Sequence, residues 1–130
     1  MPTVALPSKL DAPLAYELLE GDAASTLLIV FLNGLGLPQV AWKPTIQLIQ
    51  ESSVYPEPWV LTYDRYGQGA SPRDPREKLA SKEPGYAHTL DDVTDDLHEL
   101  IQTVSPERSS RIVLVNNSIG ANVARRYADR

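Results

Sequence analysis

The chain has no cysteine. That single absence removes disulfides, thiolate metal sites, iron–sulfur ligation and cysteine nucleophiles together. Histidine is scarce as well: His88 and His98 are the only two, too few for a multi-histidine metal cage, so neither a metal nor a cofactor is expected. A basic excess is also lacking. Twelve Lys+Arg stand against 17 Asp+Glu, a formal net charge of -5, the wrong sign for nucleic acid or an anionic lipid surface. No apolar run approaches the roughly 18–20 residues of a transmembrane helix; the longest, around Leu27 to Leu32, has the length of a strand. Met1 to Leu10 lacks a basic segment followed by an apolar stretch and a small-residue cleavage site, which makes a cytoplasmic location the default expectation. What is present is 130 residues, 42% hydrophobic, enough for one α/β domain or part of a larger one and too few for two sizeable ones.

Proline and glycine cut the chain into short segments. Leu14 to Leu19 reads as an early strand closed by a Glu20-Gly21-Asp22 turn, and the continuously apolar Thr26 to Leu32 reads as a strand covered on both faces. Trp42, Ile46 and Ile49 then recur at helical spacing, with Pro44 tolerable near the helix start. Trp59 to Tyr63 is a third strand, followed by a polar loop that runs from Pro72 to about Ala87. Thr89 and Asp92 form a capping-box-like pair ahead of an apolar stripe of Leu90, Val93, Leu97, Leu100, Ile101 and Val104. Asp91, Asp95, Asp96 and Glu99 lie opposite that stripe and read as a solvated face. Arg111 to Asn116 is another buried-type strand, and Gly120 to Ala128 a closing helix. Alternation of this kind specifies an α/β fold, a mostly parallel sheet with flanking helices.

In such a sheet, ligands bind beyond the carboxyl ends of the strands. Three segments occupy that position. Asn117-Ser118-Ile119-Gly120 follows one strand, where a serine in a sharp strand-to-helix turn has its hydroxyl exposed beside the N–H groups of a helix start. Asn33-Gly34-Leu35-Gly36 follows another, and its glycines can turn an N–H toward the same space. Gly67-Gln68-Gly69-Ala70-Ser71 shapes a tight turn and reads as support, with Asp64 as the structural partner of the neighbouring Arg65 in a local ion pair.

With these segments in order, the chain resembles the amino-terminal half of an α/β-hydrolase of the serine type, over about Leu14 to Arg130. NGLG, DRYGQGAS and NNSIGA look like that family's oxyanion loop, its D-x-x-G-x-G-x-S turn and its nucleophile elbow. The resemblance implies Ser118 as nucleophile and the backbone N–H groups of Leu35 and Ile119 as the oxyanion hole. Asn33, Gly34, Trp42 and Asn117 would line the substrate pocket. Two positions depart from the family pattern: Asn116 replaces the first elbow glycine and Asn33 the common histidine of the oxyanion loop. Asparagine tolerates unusual backbone angles, so the elbow can survive. The implied chemistry is acyl transfer to serine from a small ester, lactone, thioester or amide.

A serine at its free pKa needs a base, and in this family the acid and histidine follow the serine. Only twelve residues follow Ser118 and none is histidine; upstream, His88 reads as part of the helix approach and His98 as a boundary residue. The expectation is a single, apparently truncated domain over residues 1–130, inactive by itself. Its nucleophile strand would lie at the sheet edge, open to self-association. The alternative is a non-catalytic binding protein on the same scaffold. For Ser118 alone, the competing role is an ordinary helix N-cap. A nucleotide-binding domain finds no support, because neither glycine pair has the third glycine of a dinucleotide fingerprint or a P-loop ending. The sequon Asn116-Asn117-Ser118 reads as accidental.

Overall fold

The computed structural model describes residues 2–34, 36–52, 55–79, 88–105 and 110–129. Five strands form the sheet: β1 (Thr3–Leu6), β2 (Lys9–Leu19), β3 (Leu27–Leu32), β4 (Trp59–Tyr63) and β5 (Arg111–Asn116). Three α-helices flank them: α1 (Lys43–Glu51), α2 (Leu90–Val104) and α3 (Gly120–Ala128). The strand order is β1-β2-β4-β3-β5. β4, β3 and β5 run parallel, whereas β1 with β2 and β2 with β4 are antiparallel. The sheet is therefore mixed, with its parallel part at the β5 side.

β3 is central to the parallel part, and its continuously apolar sequence matches that place. Leu28, Val30, Phe31 and Leu32 are all buried. Alternate side chains enter different layers. Leu28, Val30 and Leu32 join Leu97, Leu100 and Ile101 of α2 and Val123 of α3. Phe31 joins Ile46 of α1, with Trp42 and Ile49 packed around them. So α1 covers one face of the sheet, and α2 and α3 cover the other.

Helix starts follow their sequence signals. Pro44 stands in the first turn of α1, where its missing N–H costs nothing. Thr89 caps α2: its side chain accepts from the Asp92 N–H at 3.1 Å while its own N–H donates to Asp92 Oδ2 at 3.0 Å.

Four expectations are corrected. β5, expected as a buried-type strand, has only exposed and half-buried residues, because among the described residues it is paired on one side only. The early strand begins at Lys9 rather than Leu14 and pairs with a further strand, β1. Asp96 lies inside rather than on a solvated face, at 7% exposure. Asp64 forms no local ion pair with Arg65; its carboxylate accepts instead from the Gln39 N–H at 2.7 Å and the Ala70 N–H at 3.0 Å. A side chain on Gly69 would collide with that carboxylate. The turn after β4 is thus wound around Asp64.

Candidate active site

β5 and α3 meet in a sharp turn at Asn117 and Ser118. Ser118 has φ +53, and among the described residues it alone is non-glycine with positive φ. An N-cap residue has extended backbone angles and a side chain that accepts from the first turn. Here the cap is Ile119, with no side-chain bond, so Ser118 is not a capping serine. It is exposed at the tip of the turn. Left-handed angles cost a serine on the order of 1 kcal/mol, and the surrounding structure must hold them.

That hold is visible. The Asn117 N–H donates to the Leu32 carbonyl at 3.3 Å, and the Gly120 N–H to the Asn117 carbonyl at 2.9 Å. Gly120 presses on β3 so closely that a Cβ there would stand 2.7 Å from the Leu32 carbonyl oxygen. The loop after β3 arrives at the same place: a Cβ on Gly34 would lie 3.4 Å from Ser118 Cβ and 3.3 Å from Asn117 Oδ1. Gly34 and Ser118 are therefore direct neighbours, although 84 positions apart.

The loop is fixed from behind. Asn33 is buried, donating from Nδ2 to the Tyr63 carbonyl at 3.0 Å and accepting from Trp42 Nε1 at 2.5 Å. Trp42 in turn packs against Phe31 in a tilted arrangement, with ring centroids 4.9 Å apart. Arg65 Nη2 donates to the Gly34 carbonyl at 3.0 Å. This contact was not legible in the sequence, where Arg65 reads as a partner of Asp64. Leu35, the expected first oxyanion donor, lies outside the described residues. The Ile119 N–H has no partner among the described residues, as an oxyanion donor requires.

Neither histidine bonds to Ser118. The His88 ring pairs with Glu77 Oε1, and His98 packs against Tyr127 with centroids 6.2 Å apart. Among the described residues no group of histidine and carboxylate side chains could hold a metal ion.

Beside the turn, Ile119 and His88 border a cavity of about 400 Å³ on the α2 and α3 side of the sheet. Asp96 also borders it. Lys9 Nζ lies 2.5 Å from Asp96 Oδ1 and 2.6 Å from Asp74 Oδ2, over the Tyr66 ring at 4.7 Å. Arg76 joins Asp74 to Asp92, at 2.9 and 2.7 Å. Burial pushes the Asp96 carboxyl up to about 6, against the lowering effect of Lys9 and with help from the negative Asp74. Burial also acts on Asp74, but hydrogen bonds from Arg76 and Lys9 outweigh it and hold that carboxyl well below the usual range.

A family model described as the alpha/beta hydrolase family matches residues 29–130. The chain belongs to the alpha/beta hydrolase family. Solved hydrolases share its fold. A carboxylesterase structure from Nitrososphaera gargenis matches with a TM-score of 0.71 at 25% identity, covering 98% of this chain and 40% of that one. An enol-lactonase from Burkholderia xenovorans LB400 matches with a TM-score of 0.67 at 26% identity, covering 99% and 43%. A hydrolase from Pseudomonas aeruginosa PA01 matches with a TM-score of 0.69 at 24% identity, covering 98% and 40%. The chain thus spans about two fifths of the length of these alpha/beta hydrolases. No curated protein matches it. Among the described residues no helix is long and apolar enough to cross a membrane.

Proposed function

We propose that this alpha/beta hydrolase chain carries the nucleophile and oxyanion half of a serine acyl-transfer site, acting on a small ester, lactone, thioester or amide. The observation that carries this reading is the left-handed backbone of Ser118 at an exposed strand-to-helix turn with Gly34 against it. A strained serine has no packing reason to be there, and a nucleophile has one. In the mechanism, Ser118 Oγ attacks the acyl carbon, the leaving group departs with a proton, and water releases the acyl group. The N–H groups of Ile119 and Leu35 stabilise the developing oxyanion. Gly34 and Asn117 border the acyl group, while Asn33 and Trp42 keep the loop in place.

No described histidine contacts Ser118, which supports an inert serine in the isolated 130 residues. The alternative, a non-catalytic binding protein, rests on the same observation. A fluorophosphonate probe with intact-mass detection separates them, applied to this chain, its Ser118→Ala variant and a longer product of the same reading frame. We expect no labelling of the 130-residue chain and Ser118-dependent labelling of the longer one. Labelling of neither would leave the binding reading standing. Labelling of the short chain would require a base within it, and His88→Ala would test the residue bordering the cavity. Self-association through β5 belongs to the same proposal; it is supported by the open edge of that strand and by Ile112 and Val113, exposed at 38% and 46%.

A further inference from the structure

We infer that the cavity beside Ile119 binds a small apolar molecule carrying an amine, with the amine paired to Asp96. Leu14, Leu90, Val93, Ile119 and Val123 supply apolar lining, and a volume of about 400 Å³ suits a ligand of roughly ten to twenty heavy atoms. Within that lining Asp96 is the one carboxylate among the described residues. Its residue is more than nine-tenths buried, Lys9 takes Oδ1, and Oδ2 has no hydrogen-bond partner among the described residues.

The charge pattern points the same way. Asp96, Lys9, Asp74, Arg76 and Asp92 form one chain of contacts, in which three carboxylates share two cations. Within that chain of contacts the carboxylates outnumber the cations by one, and Thr89 satisfies Asp92 at its far end; Arg65, elsewhere on the cavity, is a cation bonded to no carboxylate among the described residues. Asp96 Oδ2 is still reached by solvent, its side chain being 10% exposed, so a ligand ammonium there would exchange water for a charge-assisted hydrogen bond. The remaining titratable or charged groups on the cavity are Arg65, His88, Tyr63 and Tyr66. Arg65 donates from Nη2 to the Gly34 carbonyl, leaving its buried Nε without a partner among the described residues, while His88 pairs with Glu77 and the Tyr66 hydroxyl donates to the Ala12 carbonyl. Tyr63 stays neutral, since burial raises its pKa.

Ile119 borders this cavity and follows Ser118, which is not itself part of the lining, so the cavity lies beside the turn that holds the proposed nucleophile. The substrate class becomes an ester or amide with an amine on its acyl or leaving group. That last step rests on the proposed function; binding of the amine does not.

The test is calorimetric titration of the full chain with phenylpropylamine, phenylpropanol and phenylpropanoate, matched in size and differing in charge. At about pH 7.5 the amine should bind about tenfold more tightly than the other two. Asp96→Asn should bring the amine down to the alcohol, and Leu90→Trp, at a partly exposed position, should weaken all three. Should Asp96→Asn fail to fold, the unaltered chain still decides. Its amine affinity should fall as pH drops through about 6 while alcohol binding holds steady. Alcohol binding as tight as the amine, or an amine preference that survives Asp96→Asn or the acid series, would overturn the inference. Fluorophosphonate labelling is scored separately, so a failed nucleophile and a failed amine site give different results.

Discussion

Gly120 and the Leu32 carbonyl approach so closely that a methyl group at position 120 would stand 2.7 Å from the oxygen. The neighbour is backbone of β3, paired on both sides, and cannot swing aside. Gly120→Ala should therefore destabilise the chain by about 1–3 kcal/mol, as overpacking does. A urea titration followed by circular dichroism measures it, and an unchanged midpoint would show that the contact can relax.

Ser118 offers the opposite experiment. Glycine adopts left-handed angles freely, so Ser118→Gly should raise stability by about 1 kcal/mol, whereas Ser118→Ala should leave it nearly unchanged. A gain from glycine alone would locate the stored strain in the backbone of the turn. Equal stability of all three proteins would remove the strain argument for a nucleophile.

Asp64 accepts backbone N–H bonds from Gln39 and Ala70, joining the segment ahead of α1 to the turn after β4. Asp64→Ala leaves a buried donor unsatisfied and should cost about 2–4 kcal/mol. The same denaturation experiment reads it. A loss below about 0.5 kcal/mol would mean that water or a neighbour replaces the carboxylate.

Asp96 gives stability a pH dependence of known sign. Its folded value of about 6 lies above the ordinary aspartate value, so folding takes up a proton in the interval between the two. The resulting stability is fully present below the unfolded value and lost as pH rises through about 6. Asp74 and Asp92 act oppositely, but only as pH falls below the ordinary carboxylate range. The chain should thus be more stable at about pH 5 than at about pH 7.5, by on the order of 1 kcal/mol. Asp96→Asn should abolish that difference in urea midpoints.

The open edge of β5 predicts concentration-dependent association, which Val113→Lys should suppress. Sedimentation velocity over a range of concentrations checks this. A monomer at every concentration would refute self-association.

How much of this could be read in the chain depended on how local the cause was. The ends of β4, β5, α2 and α3 follow from runs, caps and breakers within each segment, and the structure places them where those signals fall. The first half of β2 did not declare itself, because Asp11 and Pro13 break its pattern and its pairing with β1 supplies what propensity lacks. Asp96 was read as a surface carboxylate because helical periodicity knows only its own helix. Its partner, Lys9, arrives from 87 positions away. The meeting of Gly34 with Ser118 follows from two loops that both lie beyond the carboxyl ends of strands, whereas the grip of Arg65 on Gly34 depends on packing that no local pattern carries.

Among the described residues, β5 receives its ladder bonds from β3 alone. In a parallel strand, every second amide points to each side. Half of the amides in the strand that carries Ser118 therefore face outward and should exchange with deuterium quickly, while those facing β3 exchange slowly. The serine is thus borne on a strand whose rigidity comes from one side, and any polypeptide that pairs with the other side would stiffen it without touching it.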